Sequence, residues 1–218
     1  MINIKRFVCN MLQENCYVVS DDTGECVIID PCAQYRRQRE NFKHYISKEC
    51  LKPVRCLLTH GHYDHLLSCD QVRDEYGLFP EIHQGDKPWM ARIQMRIEEI
   101  FGPGVFNHDI VHPQRFLDDG EIIKFGHHQL KVIHTPGHSP GSAVFYCEEE
   151  KAAFTGDTLF KEDIGRSDLL FGWEPDLMQS LKMLTNLLPD DCVIWPGHDM
   201  ESTMGYEKQN NRFLRFDR

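Results

Sequence analysis

Short apolar runs, each closed by glycine, proline or a polar cluster, dominate the pattern along this 218-residue chain. Asn15-Cys16-Tyr17-Val18-Val19 and Glu25-Cys26-Val27-Ile28-Ile29 read as strands. Asp21-Asp22-Thr23-Gly24 between them is a hairpin signal, and Asp30-Pro31 stops the second strand. Over 35–50 the period changes, and Phe42, Tyr45, Ile46 and Cys50 share one helical face. Val54-Arg55-Cys56-Leu57-Leu58 reads as a buried strand. Cys69, Val72 and Tyr76 continue a helical stripe that Gly77 ends, with Asp64 near its N-terminus, where anionic groups are stabilised. Residues 79–83 form a short strand, and Trp89, Ile93, Ile97 and Ile100 then recur at helical spacing. They suit a core-facing helix, or part of a lid over a site. Leu177, Leu181, Leu184 and Leu188 make an amphipathic helix begun near Pro175 and stopped by Pro189.

Three runs in the second half end on one device. Leu130-Lys131-Val132-Ile133 leads into Thr135-Pro136-Gly137-His138, Ala152-Ala153-Phe154-Thr155 into Gly156-Asp157, and Cys192-Val193-Ile194-Trp195 into Pro196-Gly197-His198. Each is an apolar strand, then a glycine that lets the backbone turn sharply, then a metal-capable side chain. Sites in layered α/β folds gather at strand ends, so these tips are expected to converge. The inventory suits two sheets packed together with helices outside. No linker, low-complexity tract or solenoid period interrupts it, so 1–218 is expected to be one domain.

Composition narrows the partners. With 24 Lys+Arg against 34 Asp+Glu, the net charge of -10 argues against nucleic acid. No apolar stretch is long enough to span a bilayer, and no basic segment followed by an apolar one opens the chain. The nine cysteines lack a CxxC pair, and Cys9, Cys16, Cys26, Cys56, Cys147 and Cys192 lie in or beside apolar runs. Reduced, buried cysteine and a cytoplasmic location are the expectation.

The candidate chemistry centres on Thr59-His60-Gly61-His62-Tyr63-Asp64-His65. In extended backbone, residues two apart point to one side, so His60 and His62 can grip one ion. Asp64 and His65, adjacent, diverge toward a second. Imidazole and carboxylate suit zinc and related divalent metals. His83, His108, His112, His127, His128 and His134 lack that context, though His134 lies close to His138. Arg166 could bind an acidic substrate group, but the favoured expectation is a buried arginine paired with a neighbouring carboxylate such as Asp168. Lys208, Arg212, Arg215 and Arg218 read as the solvated face of a terminal helix.

Taken together, Ile29-Asp30-Pro31, the 59–65 run, Thr135-Pro136-Gly137-His138-Ser139-Pro140-Gly141-Ser142, Gly156-Asp157-Thr158-Leu159-Phe160 and Pro196-Gly197-His198 resemble the metallo-β-lactamase superfamily. Within it, Ile164-Gly165-Arg166-Ser167-Asp168-Leu169 and the 205–214 segment resemble the short glyoxalase II-like, or hydroxyacylglutathione hydrolase-like, enzymes. The resemblance implies an α/β fold, a four-layer αββα sandwich with metals at one edge. It implies zinc, two ions per chain, with iron or manganese as alternatives. It assigns His60, His62 and His138 to one ion and Asp64, His65 and His198 to the other, with Asp157 bridging and Asp30 ordering the ligand loops. Asp64 and Asp157 are the expected catalytic carboxylates, holding both ions by their charge. Cys32 stands where the family usually has glycine, and with only four residues after Leu214 the helical region that helps glyoxalase II hold glutathione is not expected.

The implied reaction is attack of a metal-bound hydroxide, since a divalent ion brings water's pKa from about 15.7 to roughly 7. No dedicated general acid stands out. A thiolate, with a parent pKa of about 8.5, leaves without one, so thioesters are the expected substrates. Lactones and other esters would be cleaved by the same centre. A mononuclear iron persulfide dioxygenase, using His60, His138 and Asp157, is the alternative enzyme class. A non-catalytic metal-stabilised module is the alternative outside enzymes. The expected partner is a small-molecule thioester or ester, with no nucleic acid and no membrane; oligomeric state is left open.

Overall fold

Two six-stranded sheets, stacked face to face, organise the computed structural model, which describes residues 1–102 and 110–216. The first sheet runs in chain order through β1 (Asn3–Cys9), β2 (Glu14–Ser20), β3 (Glu25–Ile29), β4 (Lys52–Leu58), β5 (Pro80–His83) and β6 (Arg115–Leu117). The second carries β7 (Ile122–Phe125), β8 (His128–His134), β9 (Ala143–Cys147), β10 (Ala152–Gly156), β11 (Val193–Pro196) and β12 (Ser202–Thr203). β1, β2 and β3 are antiparallel, with Tyr17 opposite Ile29 as the hairpin signal requires. The steps from β3 to β6 are parallel, as is β10–β11. Parallel neighbours need crossovers. Helices α1 (Arg36–Lys48), α2 (Cys69–Tyr76), α3 (Lys87–Met90), α4 (Ile93–Phe101) and α5 (Glu174–Leu187) lie in those crossovers, and α6 (Met204–Asn210) follows β12.

Burial defines the layers. Tyr17, Val27, Ile29 and Leu57 from one sheet meet Phe125, Val132, Phe145 and Phe154 from the other in a shared core. The outer face of the first sheet packs on Phe42 and Ile46 of α1 and Val72 of α2. The outer face of the second packs on Leu177, Leu181 and Leu184 of α5 and Met204 of α6. Each such leucine contributes about 1.5–3 kcal/mol by leaving water. This is the four-layer αββα sandwich. All nine cysteines are unpaired and only Cys50 is exposed, so the rest act as small hydrophobes.

Several expectations shift. Helix α1 ends at Lys48, and Cys50 lies beyond it, exposed and with φ +52°. The 89–100 stripe is split into α3 and α4, with Trp89, Ile93 and Ile97 buried; the side chain of Ile100 lies outside the described residues, as do His108 and Arg218. Strands β1, β6, β7, β9 and β12 were not anticipated. β1 mixes Asn3, Lys5 and Arg6 among its apolar positions, and β6 and β12 are only three and two residues long. Among the described residues, no helix is long and apolar enough to cross a membrane.

The surplus histidines tie the sheets together. Asp21, in the β2–β3 turn, accepts from His127 N and His128 Nδ1 at the β7–β8 turn. His83 and His134 stack with ring centroids 3.9 Å apart. His134 Nε2 donates to the Pro140 carbonyl, bracing the loop that carries His138.

Burial and the adjacent His134 push His83 down to about 4. Its Nδ1 accepts from Gly85 N, so the folded ring stays neutral while an unfolded histidine takes up a proton near pH 6.5. Stability should therefore fall as pH drops from about 6.5 to about 4. Melting temperatures measured across that window should decline, and His83→Asn, which keeps an acceptor, should flatten the decline. An identical slope in the variant would refute this.

Candidate metal centre

The loop after β4 is shaped by two buried carboxylates. Asp30, at the end of β3, has φ +50°, and its carboxylate accepts from Thr59 N (2.8 Å) and Thr59 Oγ1 (2.7 Å). Asp86 accepts from Gly61 N (2.7 Å), Ser139 Oγ (2.9 Å) and Gly141 N (2.6 Å). One side chain thus fastens the His60–His62 loop to the His138 loop. Burial raises the Asp86 pKa, and its three donors oppose that. Gly61 leaves room for Trp89, since a Cβ there would stand 2.7 Å from the indole. The chain then turns through a 3-10 segment, Tyr63–His65, which carries Asp64 and brings the His65 ring to 4.0 Å from that of His60, centroid to centroid.

Three imidazoles meet at the first cluster. His60 Nε2 lies 2.9 Å from His62 Nδ1 and 3.1 Å from His138 Nε2, and His138 Nε2 lies 2.8 Å from His62 Nδ1. Their partners assign the tautomers. His138 Nδ1 donates to the Arg166 carbonyl (2.7 Å). Thr59 Oγ1 gives its proton to Asp30 and so accepts from His60 Nδ1 (3.2 Å). Both Nε2 atoms therefore present lone pairs to each other at contact distance. A cation shared by the two turns that repulsion into attraction.

A second cluster adjoins it. His65 Nδ1 faces Asp30 Oδ2 (3.1 Å), which leaves Nε2 toward Asp157 Oδ1 (3.4 Å) and Asp64 Oδ2 (3.9 Å). His198 Nδ1 donates to the Leu12 carbonyl (3.1 Å), and its Nε2 lies 3.5 Å from Asp64 Oδ2 and 3.6 Å from Asp157 Oδ2. Asp157 Oδ2 is also 3.4 Å from His138 Nε2, so this carboxylate reaches both clusters. Gly197 permits the approach, because a Cβ there would come within 2.3 Å of Asp157 Oδ1. His62 Nε2, His65 Nε2 and Asp157 Oδ1 are buried without a hydrogen-bond partner among the described residues.

The structure thus gathers His60, His62, Asp64, His65, His138, Asp157 and His198 at one sheet edge, in groups whose donor atoms lie within 4.8 Å of one another. Imidazole and carboxylate at this spacing fit divalent metal ions. Two carboxylates escaped the sequence reading. Glu14 joins Asp64, His65 and His198 in one group, yet in sequence it is merely the polar residue ahead of an apolar run. Asp86 lies in no motif, and only its fully buried position marks it.

Electrostatics divides the centre. Burial and neighbouring imidazoles hold His60 well below its ordinary pKa, and burial with His138 pushes His62 down to about 3. Both are neutral, metal-ready ligands at pH 7. Burial opposes charge on His65, but Glu14, Asp157, Asp30 and Asp64 outweigh it and raise that pKa well above normal. His198 is raised in the same way by Asp64 and Asp157. The second cluster therefore attracts positive charge strongly, and a divalent ion competes with protons for it.

A cleft of about 460 Å³ opens onto both clusters, with Leu12, Trp89, Ile93, Phe160, Leu169 and Leu170 forming its apolar wall. Trp89 and Ile93 thus serve the core and the cleft together. Arg166 pairs with Asp168 as expected, but the pair is exposed at the rim rather than buried. At the C-terminus, Glu207 accepts from Glu162 N (2.8 Å) and Asn211 Nδ2 (3.0 Å), which anchors the segment that follows Asp157.

A sequence profile described as the metallo-beta-lactamase superfamily matches residues 9–198. A hydroxyacylglutathione hydrolase, GloC, of Haemophilus influenzae is 35% identical over 216 residues, covering 98% of each chain. The crystal structure of BLEG-1 B3 metallo-beta-lactamase superposes with a TM-score of 0.86 at 31% identity, over 98% of this chain and 100% of that one. TTHA1623, solved in a di-iron-bound form, gives a TM-score of 0.81 at 32% identity, over 96% and 100%.

Exchanging Asp86→Asn should place an amide hydrogen against one of three donors and loosen the His60–His62 loop. Partners of this kind are worth roughly 10–100-fold in metal affinity. Chelator competition should show the tightest metal equivalent weakened on that order. Affinity within about twofold of the parent would remove Asp86 from this role.

Proposed function

The chain belongs to the metallo-beta-lactamase superfamily as a metal-dependent hydrolase, and on that premise we propose that its substrates are small-molecule thioesters. One observation carries this reading. Among the described residues lining the cleft, the only imidazoles and carboxylates are His62, Asp64, His138, Asp157 and His198, all members of the two clusters. None is free to protonate a leaving group. Tyr63 also lines the cleft, but burial raises its phenol above the ordinary value, making it a weaker acid than a departing thiol. A thiolate leaves unassisted, whereas an amide nitrogen needs a proton. The name of the Haemophilus relative agrees with this choice.

In this reading His60, His62 and His138 would hold one ion, Asp64, His65 and His198 a second, and Asp157 would lie between them. Divalent ions bound there supply Lewis acidity, polarising a carbonyl and bringing water's pKa to roughly 7. Zinc is the leading metal, and the di-iron form of the second solved relative supports iron as the alternative. Asp30 and Asp86 keep the imidazoles aimed while substrate enters. The apolar wall receives the acyl portion and excludes bulk water. Arg96, in the same lining, is paired with Glu99 and would meet an acidic thiol component only in competition with that carboxylate. The unpaired cysteines support a reducing, cytoplasmic setting.

A steady-state screen of thioesters, lactones, β-lactams and phosphodiesters, with metal content measured on the same sample, tests the assignment. Thioesters should give the highest kcat/KM, and His60→Ala or Asp157→Ala should lower it by at least about 100-fold. Oxygen uptake on glutathione persulfide by protein carrying a single iron would overturn it in favour of dioxygenase chemistry. Thioester hydrolysis unchanged in both variants would overturn it in favour of a metal-stabilised binding module.

A further inference from the structure

Glu14 opens β2, is fully buried, and neither of its carboxylate oxygens meets a donor in hydrogen-bonding geometry among the described residues. Oε1 lies 3.1 Å from His65 Nδ1, but that nitrogen's hydrogen is already directed at Asp30 Oδ2. Oε2 lies 3.2 Å from His198 Nε2. Because His198 Nδ1 donates to Leu12, its Nε2 is the atom that faces this carboxylate oxygen, and it can hold a proton or a metal ion there but not both. A buried carboxyl group with no hydrogen-bond partner is costly.

The backbone holds Glu14 there from both sides. Glu14 and His198 form an isolated β-bridge. Asn15 N donates to the Gly197 carbonyl (2.7 Å), and Asn15 Nδ2 donates to the carbonyls of Pro196 and Asp199 (both 2.9 Å). The Cys32 thiol, where the family usually has glycine, points at the Glu14 carbonyl (3.5 Å). The carboxylate cannot swing out to solvent without breaking this seam.

We propose that Glu14 is a further metal ligand, a third carboxylate at the position of Asp64, His65 and His198. This rests on the two-ion centre described above and not on the identity of the substrate. The two positions then differ in kind. His60, His62 and His138 make a nitrogen-rich site, which suits zinc. His65 and His198 with Asp64, Asp157 and Glu14 make an oxygen-rich one, and carboxylate-rich sets suit harder ions such as manganese(II). The centre is a built-in discriminator between two metals.

Metal-free full-length protein titrated with zinc(II) and then manganese(II) tests this, with elemental analysis for stoichiometry and electron paramagnetic resonance for bound manganese. One zinc and one manganese per chain are expected. Glu14→Gln should weaken manganese binding roughly 10–100-fold and leave the first zinc equivalent unchanged. The metal-free Gln variant should melt no lower than the metal-free parent, and should lose most of the rise that manganese gives the parent. Manganese affinity within twofold of the parent would overturn the proposal, as would equal destabilisation of the metal-free and loaded forms, which marks a purely structural strut. If the Gln variant does not fold, Glu14→Asp decides the matter, since its shorter reach should also weaken manganese at least fivefold and an unchanged affinity overturns the proposal. Failure of the two-ion centre itself looks different, because the parent would then bind no second equivalent.

Discussion

Buried lone pairs pointed at one another are the constraint on which this structure turns. His60 Nε2 and His138 Nε2 face each other at 3.1 Å, with their other nitrogens committed to Thr59 and to the Arg166 carbonyl. Beside them Asp64 and Asp157 carry like charge into the same interior. A single hydrogen on His62 Nδ1, 2.9 and 2.8 Å from the two Nε2 atoms, can serve them only in part, whereas positive charge serves the whole set. The sandwich is a frame that holds mutually repelling donors in place until a cation joins them.

The frame works through carboxylates that never touch substrate. Asp30 fixes the end of β4 to the end of β3 and orients His65. Asp86 pins the first histidine loop to the His138 loop, and Glu207 anchors the segment after Asp157. Each replaces several weak backbone contacts with charge-assisted hydrogen bonds, which are the stronger kind. Glycine at 61 and 197 lets backbone pass where a side chain would collide with Trp89 or Asp157. Donor geometry at the sheet edge is therefore set by parts spread over nearly the whole chain.

Much of this was legible in the sequence because ligands and strand ends coincide. The 59–65 run declares itself by density, and the tips at His138, Asp157 and His198 by a glycine after an apolar run. The structure brings these seven side chains to one sheet edge, in groups that also take in Glu14 and set Asp157 with His60 and His65. What stayed hidden has physical causes. Glu14 and Asp86 are single acidic residues in ordinary contexts, and only long-range packing buries them. The break between α3 and α4 follows no proline or glycine at that point, and β12 spans only two residues, Ser202 and Thr203, paired with Ile194 and Val193. The placing of Arg166 at the rim depended on loop conformation, which periodicity does not encode.

Anomalous diffraction from crystals grown with zinc(II) probes the cage directly. Two peaks should appear at the sheet edge, one bounded by His60, His62 and His138 and one by Asp64, His65 and His198, with zinc–nitrogen distances of about 2.0–2.1 Å. Crystals that take up zinc only elsewhere, or show these imidazoles turned away from any ion at saturating metal, would contradict the arrangement.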